Sequence, residues 1–258
     1  MDLGLAGRNA LVTGGGRGIG RGIAQALAAE GARVAVVART LADVDETVTS
    51  MGGVGVGHLA IAMDLTPEGA PAAFEQELRR RGFGPIDIVV HNMGGTLDIT
   101  DPFCSLEDWR RVSRFNIEVA IELNLLLLPH MREQRWGRVV HISSISAVEN
   151  HGPIPYCSVK AALNAYTRSL GRVVAPDGVV VTAVLPGAVM TEGGYWEVAS
   201  AERPEHVEKY LADRMAIHRF GHVDEVSRLV AFLCSEHASF CIGSIVPVDG
   251  GQGRGFFG

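Results

Sequence analysis

The segment TGGGRGIG, residues 13–20, follows the apolar run NALVT at 9–13 and opens a helical pattern in which Ile19, Ile23 and Leu27 recur at four-residue steps. Glycine permits positive φ and lets the backbone approach a bound group closely. A helix N-terminus adds free N–H groups and a partial positive charge, which favour phosphate. A glycine turn between the first strand and the first helix therefore predicts a dinucleotide-binding βαβ unit, although its TGxxxGxG spacing is wider than GxGxxG.

Short β-branched runs alternate with longer amphipathic runs along the rest of the chain. Seven runs predict strands, at 9–13, 33–38, 58–63, 86–91, 137–143, 179–185 and 244–248. They are nearly continuous in apolar residues, as parallel strands covered on both faces are. Helical patterns lie near 67–81, 106–114, 118–135, 155–174 and 223–235. This alternation predicts an α/β class, with a single-domain, Rossmann-like, doubly wound parallel sheet of seven strands and helices on both faces, over residues 1–258.

Composition narrows the classes of function. The 258 residues are 47% hydrophobic and 20% charged, which suits one large α/β domain. The net charge of −6, with RRR at 79–81 as a single short basic run, argues against nucleic acid and anionic membranes as partners. The N-terminus lacks a secretory signal pattern, and no apolar run is long enough to span a bilayer. The four cysteines lack CxxC spacing and the nine histidines lack HExxH, so we expect reduced thiols, a cytoplasmic protein and no metal site.

One segment breaks the regular alternation. Residues 190–222, between the sixth and seventh predicted strands, are long, polar and rich in Glu, His and Arg. Long excursions of this kind are typical of binding loops or lids, and a surface insertion is the alternative. Tyr195 and Trp196 near its start either form an apolar wall of a site or anchor the loop.

A tyrosine and a lysine share one predicted helical face. The segment PYCSVKAA, 155–162, places Tyr156 four residues before Lys160. An ammonium group beside a phenol favours the phenolate and lowers the pKa of the phenol. That would make a proton donor usable near neutral pH. Taken alone the pair favours a half-buried tyrosine beside a solvated lysine, because Tyr-x-x-x-Lys occurs often by chance. Its meaning therefore depends on the rest of the chain.

The chain resembles the short-chain dehydrogenase/reductase family over nearly its whole length, and its overall pattern is similar to the 3-oxoacyl-[acyl-carrier-protein] reductase branch. The resemblance rests on the joint order and spacing of several features. They are TGGGRGIG, MDL at 63–65, HNMGG at 91–95, Asn116, ISS at 142–144, YCSVK at 156–160, PGAVMT at 186–191 and VDGG at 248–251.

The resemblance implies a catalytic group. Tyr156 would exchange a proton with the oxygen of a carbonyl or alcohol substrate while a nicotinamide exchanges a hydride. Lys160 would lower the pKa of Tyr156 and bind the nicotinamide ribose, and Asn116 would support a water of the proton relay. A serine at the end of the fifth strand would bond the substrate oxygen. Hydride transfer builds negative charge on that oxygen, and two hydroxyl donors stabilise it.

Two adjacent residues compete for the role of that serine. Alignment of the strand GRVVHISS selects Ser144, whereas counting back from the tyrosine by the family's usual interval selects Ser143. Adjacent residues at a strand end point in opposite directions, so only one of them can serve. We expect Ser144, because a strand register is costlier to shift than a loop is to shorten by one residue. Ser143 remains the alternative.

The implied cofactor is NADP(H), with NAD(H) as the alternative. Where NAD-binding relatives carry an acidic residue after the second strand, this chain has Arg39, so no carboxylate is available there to repel a 2′-phosphate. Arginine pairs with phosphate in bidentate geometry, and Arg17 can reach the same phosphate; the alternative is that both are merely solvated. The resemblance assigns further cofactor contacts to Tyr156 and Lys160 and to Thr13, Gly14, Gly18, Ile19, Gly20, Asp64, Leu65, Asn92, Gly94, Pro186, Gly187, Val189 and Thr191.

Some positions depart from the family pattern or stay open. His91 and Met93 replace two residues of the usual NNAG. Asn150 and His151 either face the substrate or lie on the surface. The tail GQGRGFFG, 251–258, ends in two phenylalanines, which we expect to be buried over the active site or against another subunit.

The leading hypothesis is an NADPH-dependent reductase of a ketone or 3-oxoacyl substrate. Relatives of this kind are commonly tetramers built from the helices near 106–135 and 155–174 and from the C-terminal strand region, so a homotetramer or a dimer is expected. An NAD-dependent alcohol dehydrogenase is the second reading. A non-catalytic dinucleotide-binding sensor or scaffold is a third, and the retained Tyr156 and Lys160 argue against it.

Overall fold

A parallel sheet of seven strands forms the centre of the structure, a computed structural model that describes residues 1–255. The strands are β1 Asn9–Thr13, β2 Arg33–Ala38, β3 Leu59–Ala62, β4 Ile88–His91, β5 Gly137–Ile142, β6 Val179–Pro186 and β7 Ile245–Val248. All paired strands are parallel, in the spatial order β3-β2-β1-β4-β5-β6-β7. The predicted seven-stranded, doubly wound fold is confirmed, because near-continuous apolar runs mark strands that are buried on both faces.

Helices cover both faces of the sheet. Within residues 1–255 they are α1 Gly18–Ala29, α2 Leu41–Ser50, α3 Ala70–Arg80, α4 Leu106–Ser113, α5 Val119–Glu133, α6 Ile154–Val174, α7 Tyr195–Glu202, α8 Pro204–Arg214 and α9 Val223–Leu233. α1, α2 and α9 pack with one apolar cluster, and α3, α5 and α6 pack with another on the opposite face. None of these helices combines the length and the apolarity that a bilayer-spanning helix needs.

α2 was not predicted from the sequence. Its segment LADVDETVTS buries only Val44, Thr47 and Val48, and the other positions are polar or exposed. Three buried positions in ten residues give a weak helical repeat, so packing against the sheet, rather than sequence periodicity, stabilises this helix.

A π-helical segment, Arg114–Glu118, joins α4 to α5 without a break. The two predicted helices near 106–114 and 118–135 are therefore one continuous helical rod. π-helical turns are rare and occur frequently at functional sites. This one carries Asn116, which is 2% exposed.

The excursion at 190–222 is folded rather than irregular. It contains α7 and α8, and its side chains form a small apolar cluster with Ala188. The buried members from the excursion are Ala199, Val207, Met215 and Phe220. Its two ends are joined, because Val189 and Gly221 form a parallel β-bridge.

The order of the strands fixes where a ligand can bind. β1 lies between β2 and β4, so the direction of winding reverses on either side of it. In open α/β sheets such a switch point leaves a crevice outside the carboxyl ends of the strands. The glycine turn after β1 and the loops after β4 and β5 all lie at this edge.

Candidate active site

The glycine turn between β1 and α1 forms a cradle whose glycine positions carry no side chain. Gly14 and Gly18 have positive φ angles of 64° and 55°, which other residues rarely adopt. A Cβ atom on Gly20 would overlap the carbonyl oxygen of Gly14 and the Nδ2 atom of Asn92. The residue before α1, Arg17, makes no side-chain cap. The first N–H groups of α1 therefore remain available to an anion, and the cradle fits a pyrophosphate.

Asn92, directly after β4, braces this turn from the neighbouring strand. Its Nδ2 donates hydrogen bonds to the carbonyl oxygens of Thr13 and Gly14, at 3.1 and 3.0 Å. The hydroxyl of Thr13 accepts hydrogen bonds from the backbone N–H groups of Asn92 and Met93, each at 3.1 Å. Thr13 and Asn92, both predicted as cofactor residues, thus hold the shape of the cradle.

A cavity of about 270 Å³, hereafter the cofactor cavity, lies beside the turn. The predicted cofactor residues that line it are Gly14, Arg17, Arg39, Asp64, Leu65, Asn92 and Gly94. Asp43 and Phe115 also line it and were not predicted. The sequence around these two residues does not indicate cofactor binding. They belong to α2 and to the π-helical turn, and they meet the glycine turn only in the folded chain.

Both positive and negative side chains line the cofactor cavity. Arg17 and Arg39 are exposed, and neither forms an ion pair within residues 1–255. Asp64 accepts hydrogen bonds from the N–H and the hydroxyl of Thr66, at 2.9 and 2.8 Å. The expectation that no carboxylate stands near a 2′-phosphate was incomplete, because Asp43 brings one from the first turn of α2 into the same cavity.

Thr191 lies over the glycine turn. A Cβ atom on Gly18 would lie 3.4 Å from its Cγ2 atom. The segment after β6 thus reaches the cradle from across the sheet, and the structure brings together these two predicted cofactor residues.

Four other predicted cofactor residues are placed differently. Pro186 and Gly187 line a second cavity rather than the cofactor cavity. Ile19 packs against the apolar core. Val189 is 8% exposed and pairs with Gly221. The side chains of Ile19 and Val189 line neither cavity.

The second cavity, hereafter the substrate cavity, has a volume of about 530 Å³ and contains the candidate catalytic hydroxyls. Ser144 and Tyr156 line it on the side of the sheet. Thr96, in the loop after β4, lines it as well. The excursion contributes Tyr195, Trp196, His206 and Tyr210. Residues of 190–222 therefore share a cavity with the candidate catalytic hydroxyls.

Aromatic rings form one wall of the substrate cavity. The ring centroid of Trp196 lies 4.2 Å from that of Tyr210 and 4.8 Å from that of Phe220. Tyr195 meets the ring of Trp196 edge-on at 4.8 Å. The apolar-wall interpretation of Tyr195 and Trp196 thus agrees with the geometry, and Trp196 also anchors the excursion.

Polar groups complete the lining. His151 lines the substrate cavity, with its ring centroid 6.0 Å from that of Tyr210, whereas Asn150 does not line it. Gln252 is 2% exposed, and its Oε1 accepts a hydrogen bond from the N–H of Ala188 at 2.9 Å. Within residues 1–255 its amide nitrogen has no hydrogen-bond acceptor, so it can donate to a ligand. Gln252 was not predicted, and the one signal near it is the preceding VDGG.

An acidic residue fastens the excursion to the loop after β5. Glu149 forms an ion pair with Arg214 at the end of α8, at 3.2 Å, and accepts a hydrogen bond from the backbone N–H of Arg254. Arg254 donates in turn to the carbonyl oxygen of Asp213. Three segments that are distant in sequence are therefore held together beside the substrate cavity. The two terminal phenylalanines, Phe256 and Phe257, lie outside the described residues.

The two candidate serines point to different places. The hydroxyl of Ser144 is hydrogen-bonded to that of Tyr156 and accepts the N–H of Ser146 at 3.1 Å. Ser143 is 4% exposed, and its hydroxyl donates to the carbonyl oxygen of Lys160 at 3.3 Å. Only Ser144 lines the substrate cavity. The opposite orientations follow from the alternation of side chains along an extended chain.

Burial dominates the electrostatics of the tyrosine and the lysine. Burial raises the pKa of Tyr156, and the hydrogen bond from Ser144 opposes that shift. Burial also lowers the pKa of Lys160 to about 7. The Nζ atom of Lys160 lies 5.7 Å from the centroid of the Tyr156 ring and donates to the carbonyl oxygen of Ile142 at 2.9 Å. The pKa of Tyr156 is therefore raised and not lowered as expected, because burial is the largest cause of its shift and Lys160 is not among the causes.

Asn116 is tied to the loop after β4. Its Oδ1 accepts the N–H of Gly95 at 3.0 Å, and its Nδ2 donates to the carbonyl oxygens of Gly95 and Val112, each at 2.9 Å. A Cβ atom on Gly94 would lie 2.7 Å from Asn116 Oδ1 and 2.8 Å from Lys160 Nζ. Three predicted site residues thus converge at Gly94. The side chain of Asn116 is committed to the loop and forms no hydrogen bond with Lys160.

Comparison with known proteins agrees with this geometry. Residues 14–252 match a family model described as enoyl-(acyl carrier protein) reductase. The chain is 36% identical to the 3-oxoacyl-[acyl-carrier-protein] reductase FabG of Aquifex aeolicus, over 98% of this chain and 100% of the relative. It is 37% identical to the L-xylulose reductase of Bos taurus, over 97% and 98%. The crystal structure of L-sorbose reductase from Gluconobacter frateurii, complexed with NADPH and L-sorbose, superposes with a TM-score of 0.91 at 30% identity, over 99% and 100% of the two chains.

Proposed function

Because the chain belongs to the short-chain dehydrogenase/reductase family, we propose that it reduces the carbonyl group of a small ketone with NADPH and that Tyr156 donates the proton. One observation carries the proposal: the hydroxyls of Ser144 and Tyr156 bond to each other in a cavity that adjoins the glycine-turn cradle, with Lys160 buried beside them. When bound, NADPH supplies a hydride to the carbonyl carbon. The residues of the chain then orient and polarise the carbonyl.

The two hydroxyls stabilise the charge that develops on the substrate oxygen. Tyr156 keeps its proton at neutral pH, since burial raises its pKa. It gives up that proton as the carbonyl oxygen becomes basic, and Ser144 donates a second hydrogen bond to the same oxygen. Lys160, with a pKa of about 7, exchanges protons readily at neutral pH and restores the proton of Tyr156. Asn116 holds the loop against which Lys160 rests.

The preference for NADP(H) is supported by two arginine side chains. Arg17 and Arg39 line the cofactor cavity with their guanidinium groups unpaired within residues 1–255, so both can bind a 2′-phosphate. Asp43 and Asp64 each place a carboxylate in the same cavity, so the two arginines and two aspartates that line it sum to a formal charge of zero. The preference therefore rests on the two guanidinium groups themselves and not on an excess of positive charge. The neighbouring L-sorbose reductase structure contains NADPH. NAD(H) is the weaker cofactor in this proposal.

The lining of the substrate cavity favours a polyhydroxy ketone. The flat rings of Trp196 and Tyr210 offer apolar surfaces to C–H groups, and His151, His206 and Gln252 offer polar atoms to hydroxyl groups. L-sorbose, the ligand of the structural neighbour, is a ketone of this kind. A 3-oxoacyl thioester is the second candidate, favoured by the 36% identity to a 3-oxoacyl-[acyl-carrier-protein] reductase.

A single assay separates these candidates. NADPH oxidation is followed with L-xylulose, L-sorbose and a 3-oxoacyl thioester, with NADH in parallel. We expect turnover with NADPH and a ketose, and a Tyr156→Phe variant that binds NADPH normally but loses turnover by at least about 10²-fold. If only the 3-oxoacyl thioester is turned over, the substrate is that thioester and not a polyhydroxy ketone. Normal turnover by Tyr156→Phe would refute the assigned proton donor, and cofactor binding without any turnover would favour a sensor.

We further infer a single-domain, cytoplasmic homo-oligomer, a homotetramer or a dimer. Apolar side chains on α5 and α6 support an intersubunit face, since Leu125 and Val173 are 70% and 67% exposed. The four cysteines form no disulfide within residues 1–255, as a reducing compartment requires. Light scattering during gel filtration tests the assembly, and a monomeric mass would exclude it.

A further inference from the structure

Two histidines lie side by side in the sheet below the catalytic group. His91 ends β4 and His141 is its register partner in β5. Their rings are stacked, with centroids 5.1 Å apart and planes inclined by 20°. Burial lowers the pKa of His91 to about 4, and burial together with repulsion from His91 and Lys160 lowers the pKa of His141 well below its ordinary value. Both rings are therefore neutral at physiological pH.

These rings belong to one directed series of hydrogen bonds. The hydroxyl of Thr167 donates to the carbonyl oxygen of Leu163 at 2.8 Å, so its oxygen accepts from Nδ1 of His141 at 2.9 Å. A neutral ring that donates through Nδ1 accepts at Nε2, here from Nδ2 of Asn124 at 3.3 Å. Oδ1 of Asn124 then accepts from Nε2 of His91 at 2.8 Å. Only one tautomer of each ring fits this order.

The series, His91–Asn124–His141–Thr167, is called the histidine chain here, and it ends on the helix that carries Tyr156 and Lys160. Thr167 lies seven residues after Lys160, which is two turns and about 10 Å along α6. His141 directly precedes Ile142, whose carbonyl oxygen accepts from Lys160. α6 is thus attached to β5 both at the catalytic end and two turns further along the helix.

We propose that the histidine chain fixes the axial position of α6 against β5 and so places Tyr156 against Ser144. Its members are positioning residues, because they act on the reacting groups through α6 and β5. Ser144 follows β5 and Tyr156 lies on α6, so a small slide of the helix changes the distance between their hydroxyls directly. A misplacement of about 1 Å costs on the order of 10²-fold in rate. This inference rests on the proposed reduction.

A purely stabilising network would give a different result from a positioning network. Loss of a stabilising hydrogen bond lowers the melting temperature and leaves the turnover of the folded enzyme unchanged. Loss of a positioning bond lowers kcat, spares NADPH binding and makes the chemical step slower than product release. The isotope effect on kcat from NADPH deuterated at the transferred position then increases.

Thr167→Val removes the oxygen that accepts from His141 and keeps the shape of the side chain. We expect kcat to fall about tenfold, the Kd for NADPH to change less than about twofold, and the isotope effect to increase. Thr167→Ser should restore kcat. The matched control is Thr182→Val, because Thr182 is fully buried in β6 and its hydroxyl has no hydrogen-bond partner within residues 1–255.

The proposal is overturned if Thr167→Val retains kcat within about twofold of Thr182→Val, whatever its melting temperature. If Thr167→Val does not fold, Thr167→Ala takes its place with the same criterion, and ¹⁵N NMR of the wild-type imidazoles tests the order of the hydrogen bonds. We expect His141 protonated at Nδ1 and His91 at Nε2, with neither ring titrating between about pH 6 and 9. The opposite tautomers, or titration in that range, would refute the histidine chain. Wild-type protein that reduces no ketone would instead refute the proposed function. The NMR measurement of the tautomers does not depend on that activity and would remain valid.

Discussion

The ammonium nitrogen of Lys160 donates a hydrogen bond to the carbonyl oxygen of Ile142 at 2.9 Å, inside a site where the lysine is 2% exposed. This contact joins the helix that carries the candidate proton donor to the strand that precedes the candidate serine. It also places a basic group where water does not solvate its charge, which is the physical cause of its lowered pKa.

The buried lysine should make stability depend on pH. The pKa of Lys160 falls from an ordinary 10.5 to about 7 on folding, so between these values the unfolded chain binds more protons. Stability from this group therefore increases as the pH rises from about 7 to about 10. Lys160→Met removes this dependence. We expect the difference in free energy of unfolding between wild type and variant to shift by roughly 3 kcal/mol over that range, in favour of wild type.

Urea unfolding of both proteins at pH 7 and pH 10 measures this difference. Parallel stability curves for wild type and Lys160→Met would mean that the lysine is not desolvated in the folded protein.

The two adjacent serines provide a matched pair of variants. Ser144→Ala removes a hydroxyl that lines the substrate cavity and bonds to Tyr156, so we expect kcat/KM to fall by about 10²-fold. Ser143→Ala removes a long 3.3 Å bond to a backbone carbonyl and should change kcat/KM by less than about fivefold. Steady-state kinetics with the best ketone measures both. The reverse order of effects would assign the role to Ser143.

Arg39 should determine the choice of cofactor. Arg39→Ala removes a guanidinium group from the cofactor cavity, so we expect the KM for NADPH to rise at least about tenfold while the KM for NADH stays within about twofold. Arg228→Ala is the control, because it removes the same side chain at a position away from the cofactor cavity. Arg228 pairs with Asp224 on the exposed face of α9. Equal losses with both cofactors would mean that Arg39 does not contact the 2′-phosphate.

The cradle at Gly20 should tolerate no side chain. In Gly20→Ala the added methyl group overlaps the carbonyl oxygen of Gly14 and Nδ2 of Asn92, so the turn must move. We expect at least about tenfold weaker NADPH binding and roughly 1–3 kcal/mol lower stability. Gly55→Ala is the control, because nothing lies within 4 Å of the added atom there. Calorimetric titration and thermal unfolding give both quantities, and equal NADPH affinities would exclude a phosphate cradle at this turn.

The fold was predictable because its strands are encoded locally. Runs such as RVAVVA at 33–38 are apolar at nearly every position, and β2 occupies the same residues in the structure. The glycine turn was equally clear, because its context of strand, turn and helix is contained in about twenty consecutive residues. α2 was missed for the opposite reason, since only Val44, Thr47 and Val48 are buried and the helix depends on contacts with the sheet.

The candidate site was predictable only in part. The order of motifs along the chain identified Tyr156, Lys160 and Ser144, and these residues do meet in space. Asp43 was not predicted, because α2 shows no clear pattern in the sequence, and Gln252 was not predicted, because the motif VDGG ends one residue before it.

The sequence by itself determined the parallel sheet and the glycine turn, because hydrophobic periodicity and residue type are local properties, and the order of its motifs supplied the candidates for the reacting residues. Only the tertiary structure decided the direction in which the pKa of Tyr156 shifts and the opposite orientations of Ser143 and Ser144. It also decided that His91, Asn124 and His141 form one series of hydrogen bonds. Burial and hydrogen-bond partners depend on which distant segments pack together, and residue type alone does not specify them.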